Sequence, residues 1–308
     1  MTTTSIYKTK FNIEMNLDEY YKPMSLIEIS WRATQQIAIS DEGHVLSDGV
    51  DGWGSGTFLN YKGKLVFLTA DHVVHYDDHA ESNETGKRLD KDDDIYIITN
   101  VTDPSGQLCF QPIGGIYSFD EYRVPEEDDL TEDDIEFMSI PDMKDCAFSF
   151  ISHDIKTVTH ALTDIDPNVI LVDKKLPKIC FHENGLNLGD PVGLCLVSGT
   201  VGNRILEVSE NDGTKRKELN RMNIFHVDLT YSGSKNYDGD YIFNYPQTVY
   251  QAFWAGISGA PVIDEGGRLV GVVVRAVSEN NTIIVKPISE ILHYISYAID
   301  IENRCNIK

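Results

Sequence analysis

Three short motifs in the chain carry side chains that together could perform nucleophilic catalysis. The first places His72 just after a hydrophobic run, the second places Asp145 at the start of another, and the third is Gly256-Ile257-Ser258-Gly259-Ala260-Pro261. A serine hydroxyl is a poor nucleophile until a base takes its proton, and histidine is the side chain that most often does so. The order histidine, aspartate, serine therefore points to hydroxyl-based hydrolysis.

The two glycines of the third motif have a physical role in such chemistry. Gly256 and Gly259 flank Ser258. A turn that carries the nucleophile must bring backbone N–H groups against the oxyanion that develops in the reaction. Glycine allows that close approach and the backbone dihedrals it needs.

These motifs resemble those of the chymotrypsin-like serine proteases, in particular the bacterial trypsin-like peptidases without disulfides. Residues 69–72 match the family's Thr-Ala-x-His, residues 145–147 match Asp-x-Ala, and residues 256–261 match Gly-x-Ser-Gly-x-Pro. The resemblance runs from about Trp31 to the terminal helix. An α/β-hydrolase would instead carry Gly-x-Ser-x-Gly, with its partners in the order Ser, Asp, His.

The resemblance implies a serine endopeptidase that hydrolyses peptide bonds through an acyl-enzyme, with no metal and no cofactor. His72 would be the general base, Asp145 would orient it, and Ser258 would be the nucleophile. The backbone N–H groups of Gly256 and Ser258 would form the oxyanion hole.

The resemblance also implies where a substrate would bind. Val274, Arg275 and Ala276 correspond to the edge strand that pairs with the substrate backbone. Ala252 falls near the floor of the specificity pocket, where trypsin-type members carry an acid. We therefore predict that the residue before the cut is small or medium-sized and uncharged.

Several alternatives remain open from the residues alone. Asp142 and Asp154 compete with Asp145 for the aspartate role, although an apolar strand-like run directly follows Asp145. A metal cluster could be built from the histidines at 72, 75 and 79 with Asp77, but their spacing fits no zinc signature. Two further functions are a degenerate protease that grips peptides without cutting, and an effector protease of a bacterial defence or stress system that a partner activates.

Composition narrows the class of protein. The formal net charge of the 308-residue chain is -23, and such a surface repels phosphate backbones, which disfavours nucleic-acid binding. No apolar run approaches the ~20 residues that span a bilayer, and the N-terminus lacks the apolar region of a signal peptide. The five cysteines contain no C-x-x-C, which favours a reduced, cytoplasmic protein. We expect a protein or peptide substrate and no membrane association, and a regulatory protein partner stays open.

Many short β-type runs separated by Gly and Asx turns predict an all-β fold. We interpret Leu26–Ile39 as a strand and residues 56–69 as a hairpin that turns at Lys62-Gly63-Lys64. Further strands are expected at residues 94–101, 146–151, 169–172, 191–197, 224–230 and 268–277. One helix is predicted, starting at Pro287, because apolar residues then recur every three or four positions.

The predicted architecture is a chymotrypsin-like double β-barrel with a C-terminal helix. We expect an N-terminal extension over residues 1–24, a first barrel with an acidic insertion over 25–155, a second barrel over 156–285 and the helix over 286–308. Two acidic stretches, 77–94 and 120–136, interrupt the first barrel, and their like charges favour exposed loops.

Overall fold

The computed structural model describes residues 7–8, 14–15, 25–40, 50–80, 83, 88–89, 94–102, 104, 108–121, 142–165, 168–209, 215–250 and 254–305. Strands dominate this part of the chain, as the sequence predicts. The helices described are α1 (Leu26–Ala33), α2 (Asp71–Val74) and α3 (Ile288–Cys305), with a 3-10 turn at Glu183–Gly185. The strands are β1 (Tyr7–Lys8), β2 (Glu14–Met15), β3 (Gln35–Ser40), β4 (Gly52–Tyr61), β5 (Lys64–Thr69), β6 (Asp94–Thr102), β7 (Leu108–Ile113), β8 (Tyr117–Glu121), β9 (Asp142–Phe150), β10 (Val158–Ile165), β11 (Asn168–Pro177), β12 (Cys180–His182), β13 (Leu194–Ser209), β14 (Lys215–Lys235), β15 (Tyr241–Asn244), β16 (Pro261–Asp264), β17 (Leu269–Val277) and β18 (Thr282–Pro287).

The N-terminal strands form an eight-stranded sheet in the order β7-β6-β3-β4-β5-β9-β8, and β12 adds to β4 in parallel. Its centre is the hairpin β4–β5, in which Thr57 opposes Leu68 and Tyr61 opposes Lys64. Lys62 and Gly63 both have positive φ, 48° and 75°, which is the conformation a tight two-residue hairpin turn requires. The predicted hairpin is therefore confirmed.

The C-terminal strands form a closed barrel of six, in the order β13-β14-β15-β18-β17-β16. The barrel closes where Cys195 of β13 opposes Asp264 of β16. Its interior is filled by apolar and aromatic side chains, including the fully buried Phe243 and Ile257. The predicted fold class is confirmed in its β content, in this barrel and in the C-terminal helix.

Helix α3 joins the two halves of the molecule. Its apolar stripe, which includes Ile288, Ile291 and Ile295, lies in one core cluster with Phe148 of the N-terminal sheet and Ile263 of the barrel. A helix with a single apolar face is stable only when that face is covered. In this fold both halves cover it.

Two sequence expectations about these elements are wrong. Leu26–Ile39 is not one strand, because α1 occupies its first eight residues. The Ser25 hydroxyl caps this helix by accepting a hydrogen bond from the N–H of Glu28, at 3.2 Å. Pro287 is not the first residue of the terminal helix either, since it ends β18 and α3 begins at Ile288.

Within the described residues no helix is long and apolar enough to cross a membrane. Residues 122–141, which include most of the second acidic stretch, lie outside the described part of the chain, as do positions 251–253. The predicted domain limits stay a prediction.

Candidate active site

His72 lies at the end of β5, where the chain leaves the sheet and forms the short helix α2. Its backbone N–H donates to Asp145 Oδ1 at 3.0 Å. Its ring nitrogen Nδ1 lies 2.9 Å from both carboxylate oxygens of Asp145. These contacts fix the imidazole from the backbone side and from the ring side, and they leave Nε2 without a hydrogen-bond partner among the described residues.

The sheet register explains why these two side chains meet. Strand β5 pairs with β9, and Thr69 opposes Ala147. His72 follows Thr69 by three residues, and Asp145 precedes Ala147 by two on an antiparallel strand. Both side chains therefore emerge at the same end of the β5–β9 pair, and the carboxylate beside the His72 ring is that of Asp145.

Charge and burial act against each other in this pair. Burial lowers the pKa of the His72 imidazole, but the adjacent Asp145 carboxylate more than offsets this, so the pKa lies above its ordinary value. Burial likewise raises the pKa of Asp145, and the charge and hydrogen bond of His72 bring it below the usual value. Opposite charges at hydrogen-bond distance favour both charged forms. Asp145 is thus suited to stabilise an imidazolium.

Ser258 lies in a tight turn just before β16. Gly256 and Gly259 both have positive φ, 98° and 85°, which L side chains rarely adopt. The turn is held by Ala260 N–H donating to Ile257 O at 2.7 Å. No described group accepts a hydrogen bond from the backbone N–H of Gly256 or Ser258. That these two N–H groups form an oxyanion hole stays a prediction.

Ser55 of β4 connects this turn to the N-terminal sheet. Its N–H donates to Ser258 O at 2.9 Å, and its hydroxyl donates to Gly256 O at 2.7 Å. Its own carbonyl accepts from the Thr69 hydroxyl at 2.8 Å, and Thr69 stands three residues before His72. Three polar contacts on one residue thus join the strand end that carries His72 to the turn that carries Ser258.

His72 and Ser258 are not hydrogen-bonded to each other in the described structure. The geometry therefore brings together His72 with Asp145, and the Ser258 turn with Ser55, while the His72–Ser258 contact of the predicted triad is not made. Catalytic hydrogen bonds are often long in unliganded enzymes and tighten only when substrate binds.

The predicted substrate-binding strand lies beside this site. Between Val273 and Arg275 the register of β17 shifts against β18, so Val274 is the extra residue of a β-bulge. Strand β16 pairs with β17 only as far as Val272, so on that side the described chain leaves residues 274–277 unpaired. An extended peptide could add to this edge. Val274 is buried, Ala276 is half-buried and Arg275 is exposed.

A cavity of about 130 Å³ lies between Asp145 and β17. Its lining includes Asp145, Val274 and Arg275 together with His79 and Asp238. Arg275 forms no ion pair with any described residue, yet its charge lowers the pKa of His72. The predicted floor residue Ala252 lies outside the described residues.

The two histidines after His72 do not form a metal site. His75 Nδ1 lies 2.8 Å from one oxygen of Asp71, and His79 Nε2 lies 2.7 Å from the other. Among the residues described, no group of three or more side chains could hold a metal ion. The local pattern that suggested metal ligands is a hydrogen-bonded network around a buried carboxylate.

Sequence analysis missed Ser55 and Asp71. A signal for Ser55 exists, because Gly54 and Gly56 flank it inside a strand, and glycine in a strand often marks a close approach of another element. In the structure a Cβ at either glycine would collide with a neighbouring side chain, Val73 or Phe67. No comparable signal marks Asp71. His75 and His79 are close to it in the chain, but their spacing does not show that they share a carboxylate, and Arg88 comes from 17 residues further on.

No protein-family model matches the chain, and no curated protein matches it. Among solved structures, the chain is similar to the serine endoprotease from Yersinia pestis, with a TM-score of 0.39 and 12% identity over 91% of this chain and 68% of that one. It is also similar to Rv3671c from M. tuberculosis, a serine-to-alanine mutant in an inactive form, with a TM-score of 0.36 and 11% identity over 89% of each chain. The fold assignment rests on the strand pairing described above.

Proposed function

We propose that this protein is a serine endopeptidase with His72, Asp145 and Ser258 as its catalytic triad. The observation that carries the proposal is the His72–Asp145 pair, in which one carboxylate holds both the backbone N–H and Nδ1 of the histidine. With Nδ1 held in this way, Nε2 is the basic nitrogen and is free to take the proton of a hydroxyl.

The reaction follows from the groups around Ser258. Nε2 of His72 removes the Ser258 proton as Oγ attacks the carbonyl carbon of the scissile peptide. The carbonyl oxygen becomes an oxyanion and accepts hydrogen bonds from the N–H groups of Gly256 and Ser258. The imidazolium, stabilised by Asp145, then protonates the leaving amine, which leaves an acyl-enzyme. Water attacks the acyl group in the same way, His72 taking its proton, and Ser258 is regenerated.

The open edge of β17 supports an endopeptidase in particular. Residues 274–277 can pair with an extended substrate backbone, which orients a peptide bond within a longer chain. This edge and the Ser258 turn are connected, since Gly259 N–H donates to Val273 O at 2.7 Å. The substrate is therefore a protein or peptide. The acidic insertion is the candidate binding region for a regulatory protein partner.

The cysteines support a reducing compartment, which we propose to be the cytoplasm. None of the five, all of which lie in the described part of the chain, forms a disulfide, and Cys146, Cys180 and Cys195 are buried. Burial raises the pKa of the Cys195 thiol to about 12, so it stays protonated and unreactive at neutral pH.

A fluorophosphonate probe tests the proposal directly, because it reacts covalently with activated serines. We expect the probe to label the full chain and to add one adduct by intact mass. Ser258→Ala should remove labelling and lower peptide cleavage by at least about 1000-fold. Ser232→Ala, which removes an exposed hydroxyl that bonds only to Ser234 among the described residues, is the matched control and should be labelled normally.

Absence of labelling in the unaltered chain, with no cleavage of a proteome-derived peptide library, would contradict the proposal. It would favour a protein that binds peptides without cutting them. Labelling that persists in Ser258→Ala would assign the nucleophile to another residue.

A further inference from the structure

A buried carboxylate lies directly behind the proposed catalytic histidine. Asp71 precedes His72 in the chain, and its side chain is completely buried. Besides His75 and His79, it contacts Arg88, whose guanidinium NH1 lies 2.7 Å from Asp71 Oδ2. The pKa of Asp71 is raised by burial but lowered more strongly by these partners, so the carboxylate is held ionised.

Arg88 comes from the first acidic stretch and bonds to three separate parts of the chain. Besides Asp71, its NH1 lies 3.2 Å from Asp78. Its Nε donates to Asp120 at 2.9 Å, and its NH2 donates to Phe119 O at 3.3 Å, both on β8. A planar guanidinium can satisfy several fixed acceptors at once, which an ammonium group cannot do as well. Arg88 therefore joins residues 71–80, the α2 segment, to β8.

Among the partners of Asp71, only Arg88 carries a charge that does not depend on pH. His75 and His79 are charged only when protonated, whereas a guanidinium is always charged. The Arg88 charge lowers the pKa of His75, so without Arg88 the buried Asp71 anion would favour a proton on that ring more strongly. Such a proton would change the charge and the hydrogen bonds directly behind His72.

The network also reaches the catalytic pair. The ring of His79 lies 6.4 Å from that of His72, edge to face. The Asp71 charge raises the pKa of His72, and the His79 charge lowers that of Asp145. The charged or titratable groups around His72 are Asp145 on β9, Asp71 and His79 on the α2 segment, and Arg275 on β17. Those around Asp71 are His75, His79 and Arg88. Arg88 is in turn held by Asp78 and Asp120.

We propose that Arg88 is a positioning residue for His72, acting through Asp71 to hold the α2 segment and to fix the charge balance behind the imidazole. That Arg88 positions a catalytic residue rests on the proposed function, but the electrostatic coupling between Arg88 and His72 does not. On this proposal Arg88 gives the acidic stretch that carries it a role in supporting the active site.

The coupling can be measured without catalysis. The full chain carrying Ser258→Ala is labelled with 15N-histidine, and the ring signals are titrated by NMR, with His72 assigned from a His72→Gln variant. Adding Arg88→Met removes a positive charge, so His75 and His72 should both titrate at higher pH, His72 by about half a pH unit. Adding Asp71→Asn should move both midpoints in the opposite direction.

Lys62→Met is the matched control, because it removes the same charge at the far end of the β4–β5 hairpin and should leave His72 unchanged. If Arg88→Met shows no cooperative unfolding, Asp120→Asn carries the test, since it removes a quarter-exposed carboxylate from the same guanidinium. A fall in both midpoints is then expected. A His72 midpoint that stays the same in the folded variants would overturn the proposal.

The pH profile of fluorophosphonate labelling, measured with Ser258 intact, gives the functional readout. Because labelling needs neutral His72, Arg88→Met should move its acid limb to higher pH, by the same amount as the NMR midpoint. Arg88→Lys retains the charge and should restore most of the limb's position. If Arg88→Met lowers labelling equally at every pH and the acid limb of the profile stays at the same pH, the proposal that Arg88 positions His72 would be overturned. A parent that is never labelled would instead contradict the proposed function, and the NMR result would still decide the coupling.

Discussion

The two halves of the molecule prepare their parts of the candidate site by different means. The N-terminal sheet holds His72 through side chains, with Asp145 in front and the Asp71 network behind. The C-terminal barrel holds Ser258 through backbone conformation, in a turn with two glycines at positive φ. A proton-accepting ring needs a tuned charge environment, whereas an oxyanion needs fixed backbone N–H groups. We therefore expect substitutions that change charge to impair the His72 environment in the N-terminal sheet, and substitutions that add bulk to impair the Ser258 turn in the C-terminal barrel.

Removing the charge in front of His72 should have the largest effect. We expect Asp145→Asn to lower kcat by about 10⁴-fold, because the amide favours the wrong tautomer of the imidazole. Steady-state cleavage of a peptide found in the library screen measures this. Asp154→Asn, an exposed aspartate that sequence analysis could not exclude, is the matched control. Equal losses in the two variants would contradict the assignment of Asp145.

A methyl group in the serine turn should have the next largest effect, on folding. A Cβ at Gly259 would collide with the Ser55 carbonyl, and φ there is 85°. We expect Gly259→Ala to lower the free energy of unfolding by about 3–5 kcal/mol, measured by urea denaturation.

Gly63→Ala measures the cost of the left-handed backbone conformation without the steric collision that is present at Gly259. Gly63 has φ 75°, but a Cβ there would meet nothing within 4 Å. Only the left-handed conformation is penalised, so we expect a loss of about 1–2 kcal/mol. Similar losses at both glycines would show that the Ser258 turn is not packed against β4 as described.

The smallest effect should come from the residue that joins the two halves. Ser55→Ala removes the hydroxyl bond to Gly256 O but keeps the backbone bond to Ser258. We expect kcat to fall by about 5-fold with little change in KM, since one neutral hydrogen bond is worth about 1 kcal/mol.

Affinity for a peptide aldehyde sharpens the Ser55 test. The aldehyde adds to the serine and places an oxygen in the oxyanion hole, so its binding should weaken in parallel with kcat. Ser232→Ala again serves as the control. A rise in KM alone would mean that Ser55 acts on substrate binding and not on the oxyanion hole.

The sequence by itself determined the local parts of this protein. The His72, Asp145 and Ser258 motifs, the β4–β5 hairpin and the apolar stripe of the terminal helix are all encoded within a few residues, because turn chemistry and hydrophobic periodicity are local properties. The same local signal failed at Leu26–Ile39. There, alternating apolar residues resembled a strand, but the cap at Ser25 and burial against the rest of the molecule favoured a helix.

Only the tertiary structure decided which charges and turns meet. The β5–β9 register places Asp145, and not Asp142 or Asp154, beside His72. The packing of β4 against the Ser258 turn brings the Ser55 hydroxyl to Gly256 O. The partners of Asp71 include Arg88, 17 residues away, and Arg88 in turn bonds to Asp120, a further 32 residues along the chain. Contacts between distant residues depend on how whole sheets pair, and no short stretch of sequence specifies that pairing.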